Sequence, residues 1–478
     1  MPFDPTLAAI RFGTGLSPRH APPRDAGAML AALVGPDGAA QAHPIAPFST
    51  AAPSLRAFRS LSRARRAALG TPQEAAAEAA FQEIRLRARD QRTVHFHATL
   101  ARGIMTPDGF RERLALFWAD HFTVRARNAF GGHLVAPYVE EAIRPHLTGR
   151  FADMLRAAAT HPMMLDYLDQ SRSMGPNSPA GQRQGRGLNE NLARELLELH
   201  TLGVDGPYGQ GDVRQLAALL TGLVHDPDAG FDYRPRMAEP GAETVLGTTY
   251  SARAELATVH AALDDLAAHP ATAAHLARKI AVHFVSDDPD PGLVAALRDR
   301  YLATGGDLMA VYAALFDHPA AWAPVPVPVP VPGPVPGPVP GPVPGSAKVK
   351  PPFAYVQSAL RALDVPVARI VALDLAASRR WLMGPLTVMG QSWEEPPGPD
   401  GWPEEAEAWV TPQGMAGRIG WAMDVPGALL ETLPDPRDFV RTALGEAAPE
   451  AVRFAARAAE SVAEGIGVIL SSPAFNRR

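Results

Sequence analysis

Between Gly187 and Gly222 the residues GLNENLARELLELHTLGVDGPYGQGDVRQLAALLTG carry the strongest local constraint in the chain, two helices written out with their starts and stops. Asn189 is a good N-cap and Glu190 places negative charge at the positive end of a helix. Gly203 follows the last periodic residue, where the left-handed backbone of a helix stop favours glycine. A second helix runs from near Asp212 to near Gly222. Turning the first helix at ~100° per residue puts Asn191, Arg194, Glu195 and Glu198 on one face. Leu192, Leu196 and Leu199 fall on the other, with His200 beside them. The polar face reads either as a solvated surface with an Arg194–Glu198 pair worth tenths of a kcal/mol, or as cleft-lining carboxylates held by arginine. Periodicity leaves both open, and His200 is likewise either a satisfied core histidine or a ligand.

The same grammar recurs along the chain. Residues 54–69 read as a helix with Arg56, Arg59, Arg63 and Arg66 on one stripe, stopped by Gly70. The sequence Thr71-Pro72-Gln73-Glu74 then looks like a capping box with proline in the first turn. Residues 110–124 place Leu114, Phe117, Trp118 and His121 on one face of a further amphipathic helix. His-Pro occurs at 43, 161, 269 and 318, and the last three precede alanine- or methionine-rich helical stretches, so these dipeptides read as helix starts. Short strands are plausible only at Phe231–Tyr233 and Thr244–Leu246. The expected fold is therefore all-α, one large multi-helix unit with long loops and at most a small β-hairpin.

Residues 324–345, PVPVPVPVPGPVPGPVPGPVPG, cannot join a helix or a sheet interior and read as an extended, exposed insertion. The net charge of −5 argues against nucleic acid or an anionic membrane as partner. With no cysteine, thiolate nucleophiles, disulfides and Cys-ligated metals are excluded; any metal site would be built from His, Asp and Glu, suiting zinc, manganese or iron. The only lysines are Lys279, Lys348 and Lys350. The N-terminus shows no signal-peptide pattern, and no apolar run reaches ~18 residues, so a cytoplasmic protein without a membrane span is expected.

Several blocks together resemble the bacterial family named domain of unknown function 1800: FWADHF (117–122), HPMMLDYLD (161–169), NENLARELLELHTLGV (189–204), HPATAAHLARKI (269–280), KVKPPF (348–353), PPGPDGWP (396–403) and the terminal SPAF. The resemblance covers nearly the whole chain. It implies that 1–323 and 346–478 are parts of one unit interrupted by the 324–345 insertion. The family's motif residues match at His121, His161, Glu190, Arg194, Glu195, Glu198, His200 and Asp212. The chain departs from the pattern at Leu223, where the family usually has tryptophan, and at 238–243, where a histidine and a lysine are missing. Any family chemistry resting on those two side chains is absent here.

Two functions compete, the first being the preferred reading of the sequence and the second its alternative. One is a helical scaffold or partner protein acting with a companion of the alkaline phosphatase and sulfatase superfamily type, which the resemblance implies. The other is a hydrolase-like enzyme with His121, Glu195, Glu198 and His200 as acid/base groups or metal ligands, and His161, Glu190, Arg194 and Asp212 as binding residues. Either way the apolar stripes of the 110–124 and 189–200 helices should dock. That places His121 near His200, Arg194 on a carboxylate, and a carboxylate against the imidazole.

Overall fold

A computed structural model describes residues 3–185, 187–226, 230–323 and 348–478. The proline-rich tract at 324–345 lies outside the described residues. The chain is 65% helical, and among the described residues the strands form two small antiparallel sheets. Leu223–Asp226 pairs with Gly230–Tyr233, and Thr244–Val245 with Thr248–Thr249. The strand at 223–226 was not legible in the sequence, because Leu-Val-His-Asp is too short to show alternation. Leu223, standing where the family pattern has tryptophan, is fully buried in the main core. No helix among the described residues is long and apolar enough to cross a membrane.

Local chemistry accounts for many of the helix ends. At His161, His269 and His318 the imidazole itself is the cap: Nδ1 accepts the backbone N–H two residues on, at 3.1, 3.1 and 3.3 Å. Proline at the next position loses no bond by lacking its N–H. Asp108 caps the Gly109–His121 helix and Asp307 the Leu308–Asp317 helix in the same side-chain-to-backbone way. Gly70, Gly203 and Gly222 all have positive φ, at 72°, 89° and 99°. The capping box is displaced by one residue, since Glu74 accepts from the Gly70 N–H at 2.7 Å while Thr71 receives the Gln73 N–H.

The described core has two large parts. The first draws on residues from Ala8 to Trp322, with Phe117, Trp118, Phe151 and Phe284 among its largest side chains. The second gathers the helices after Pro352, and to it the 32-residue Glu74–Met105 helix adds Phe96, Leu100 and Ile104. That long helix therefore ties the later helices to the earlier ones. Residues 348–350 run against the C-terminal tail: the Lys350 N–H donates to Asn476 O at 2.8 Å and the Arg478 N–H to Lys348 O at 2.9 Å.

Candidate acid–base site at a helix seam

The 189–200 helix is not regular. An α segment, Asn191–Glu195, passes into a π turn, Leu196–His200. The wider turn inserts an extra residue into the apolar stripe, so Leu192, Leu196 and Leu197 are fully buried while Leu199 is only partly covered. A strict 3.6-residue period assigns that place to Leu199, which is where the sequence reading went wrong.

A π turn at a helix end leaves carbonyls without intrahelical partners, and neighbouring side chains take them up. Thr201 Oγ1 donates to Leu196 O at 2.6 Å. His275 Nε2 donates to Leu199 O at 3.0 Å, and His121 Nε2 to His200 O at 3.2 Å. The His121 ring lies 5.9 Å from the His200 ring and 6.3 Å from that of His275. The expected carboxylate partner of His121 is thus replaced by a backbone carbonyl. Burial, then the charge of Lys279, keeps all three imidazoles neutral at neutral pH. His200 is held at about 3, His275 at about 4, and His121 well below its ordinary value. Nδ1 of both His121 and His200 is buried without a hydrogen-bond partner among the described residues.

Arg194 reaches past its neighbour Glu195 to the carboxylates one turn away on either side, Glu198 at 3.0 Å and Glu190 at 3.4 Å. Glu190 also accepts from Gln210 Nε2 at 2.9 Å. Glu195, left without that arginine's hydrogen bonds, is pushed up to about 7 by burial and by the nearby charge of Glu198. Asp212 is occupied structurally, accepting the Gly209 N–H at 2.9 Å and the Leu246 N–H at 2.7 Å. His161 stands elsewhere, capping its helix among Phe48 and Tyr138, 4.0 Å from Glu141. Of the eight residues singled out by sequence, then, His121 and His200 meet at the seam, while Glu195 lies on the same helix as His200, within electrostatic reach of Glu198 and Asp400. Glu190, Arg194 and Glu198 form an ion-pair chain beside it, and Asp212 and His161 are caps.

The structure adds groups that sequence reasoning missed. Asp120, next to His121 in the last turn of its helix, accepts the Trp402 N–H at 3.0 and 3.3 Å. Gly401 is pressed so closely on it that a Cβ there would sit 2.7 Å from the carboxyl, at a φ of +84°. Burial pushes Asp120 up to about 7, with the Trp402 N–H opposing and Glu404 adding to the rise. Lys279 lies within electrostatic reach of Asp120, Glu404 and Asp400, and burial lowers its ammonium despite them. Asp400 also acts on Glu195, and Glu195 on Tyr167. Asp120 lines a cavity of about 180 Å³ together with Arg113, His283, Glu394, Trp402 and Glu404. Glu394 stands on that wall at a φ of +55° with its Oε2 enclosed, pushed up to about 8 by burial against the opposing Arg92. Two signals of this set were visible in sequence: His275, Lys279 and His283 recur every four residues on one helix, and lysine is otherwise almost unused.

Asp120, Tyr167, Glu195, Lys279 and Asp400 come from five separate sequence blocks spread over the chain. A family model described as a protein of unknown function, DUF1800, matches residues 8–477, a span holding every one of those blocks. The chain belongs to the DUF1800 family. No curated protein and no solved structure matches it. In this DUF1800 member, no three His, Asp or Glu side chains among the described residues are placed to hold a metal ion. Two of the imidazole Nε2 atoms at the seam are taken up by carbonyls.

Proposed function

We propose that this protein is an enzyme of acid–base, hydrolase-like type, working where Asp400 lies within electrostatic reach of Asp120, Glu195 and Lys279. Asp120 carries the reading: a carboxyl pushed up to about 7 at the wall of a cavity, with Lys279 within reach of its charge. A carboxyl poised near neutral pH can donate a proton to a leaving group and take one from water. Glu195 is a second group of the same kind. His121 and His275 act as positioning residues, since their rings hold the end of the helix that carries Glu195. Carboxyl ¹³C NMR of the full chain tests this directly. Asp120 and Glu195 should titrate near 7, and disappear one at a time in Asp120→Asn and Glu195→Gln. Midpoints near 4 for both would end the acid–base reading.

A second reading, a scaffold for the phosphatase/sulfatase-type companion, is supported by apolar side chains left in solvent. Ile419 and Met423, one turn apart on the Pro412–Leu429 helix, are 49% and 39% exposed. Co-purification of such a companion with the native chain, lost on Ile419→Asp, would favour the scaffold. Equal capture by both would remove this face as the contact. In either reading we take 1–323 and 346–478 as one unit. Contacts of Lys348 with Asp287 and of Trp402 with Asp120 support this.

A further inference from the structure

We infer that a second cavity, of about 370 Å³ and distinct from the one at Asp120, is a binding site for a small molecule carrying an oxyanion. It lies between the Pro53–Ala67 helix, the 125–131 turn and the 165–172 segment, and Arg59, Arg125, Arg127 and Arg172 line it with Asp166 and Asp169. Arg127 and Arg172 both pair with Asp169, the latter at 3.5 Å. Asp166 is engaged by His225 at 2.8 Å. Neither Arg59 nor Arg125 has a carboxylate ion-pair partner among the described residues. Four guanidinium groups thus face two carboxylates that are already engaged, on a chain whose net charge is −5. Arg59 belongs to the arginine stripe seen in the sequence, which the acid–base site leaves unexplained.

Exposed arginines alone would be a solvated helix face. His225 makes the difference. Its side chain is only 1% exposed, its Nδ1 is fixed by Asp166, and it lines this cavity. Its Nε2 is buried and has no hydrogen-bond partner among the described residues. A buried ring nitrogen held in one orientation and left unsatisfied is costly unless a ligand meets it. A phosphoryl, sulfuryl or carboxyl group fits the combination: its charged oxygens suit the forked guanidinium donors, and at Nε2 either a ligand hydroxyl donates to the neutral ring or the imidazolium donates to a charged oxygen. Asp169, at a φ of +60° although not glycine, holds the backbone turn that brings Arg172 to the rim. None of these residues is part of the proposed acid–base step, so this inference stands or falls separately.

The test is calorimetric titration of the full chain with inorganic phosphate at constant ionic strength, with sulfate and acetate as competing arms. Saturable binding is expected, weakened about ten-fold or more in Arg125→Gln and in His225→Gln. It should be unchanged in Arg66→Gln, which removes an equal charge from the stripe that carries Arg59, at a residue that does not line the cavity. Competition by sulfate but not acetate assigns a tetrahedral oxyanion, and competition by acetate assigns a carboxylate. Arg125 is exposed, so its variant keeps the fold even if His225→Gln does not. The absence of saturable binding for all three anions overturns the inference, as does an equal loss in Arg66→Gln.

Discussion

Replacing Glu404 by alanine is expected to destabilise the folded chain by about 3–5 kcal/mol, the cost of leaving buried charge without its partner. Glu404 accepts from His283 Nδ1 at 2.5 Å, lies 3.2 Å from Lys348 Nζ and 3.7 Å from Arg478 Nη2, and its backbone carbonyl also receives Lys348. Lys348 is fully buried, with Asp287 at 2.6 Å as its other carboxylate. Arg113 donates to the remaining nitrogen of His283 at 3.1 Å. Burial alone would raise the Glu404 carboxyl, but His283 and Lys348 together hold it at about 2. Because the folded value is depressed, its contribution is present above the unfolded value of roughly 4.5 and lost as pH falls toward 2. Urea unfolding at pH 7 should show the full loss in Glu404→Ala, and the gap between variant and native chain should close through pH 4 to 2. The network joins residues before and after the proline-rich tract, so one cooperative transition is expected for the native chain. Two separate transitions, or a loss under 1 kcal/mol, would contradict the assignment.

Asp120→Asn should do the opposite at alkaline pH, stabilising the fold by up to about 4 kcal/mol at pH 8 while removing the proposed proton transfer. The sign follows from the direction of the shift. A carboxyl raised from 3.8 to about 7 holds its proton in the folded chain between those values. Its favourable contribution is complete below the unfolded value and is lost as pH rises through 7, where the buried carboxylate must ionise. Asparagine keeps an oxygen for the Trp402 N–H and never ionises. The neutral histidines at the seam have the opposite pH dependence, favouring the fold less as pH falls below about 6.5. For that reason the informative quantity is the difference between variant and native chain across pH 4 to 8, read from thermal or urea unfolding. A difference that does not change with pH would place the Asp120 carboxyl in the ordinary carboxylate range. A residue whose removal stabilises the protein is what a site kept for function leaves behind.

The sequence by itself determined the helical elements and many of their ends, because those depend on neighbours a few residues apart. Gly70, Gly203 and Gly222 stop helices, and the His-Pro pairs at 161, 269 and 318 start them, wherever the chain goes next. The approach of the 109–121 helix to the 196–200 turn was expected from their apolar stripes, but it is made at their ends, by His121 and Phe122 against His200, while Leu114, Phe117, Trp118, Leu192 and Leu196 share only the wider main core. Only the tertiary structure decided which polar groups meet. The π turn at 196–200, which exchanged Leu199 for Leu197 in the core, depends on Thr201, His121 and His275 collecting its carbonyls. No local propensity encodes that. Asp120 is unremarkable in FWADHF until Gly401 and Trp402, the latter 282 residues away, close over it and raise its carboxyl by removing water. Arg194 likewise had three carboxylates within helical reach, and geometry gave it Glu190 and Glu198, leaving Glu195 to rise. A pKa is a property of the surroundings, and for Asp120, Glu195 and Lys279 those surroundings are assembled from distant parts of the chain.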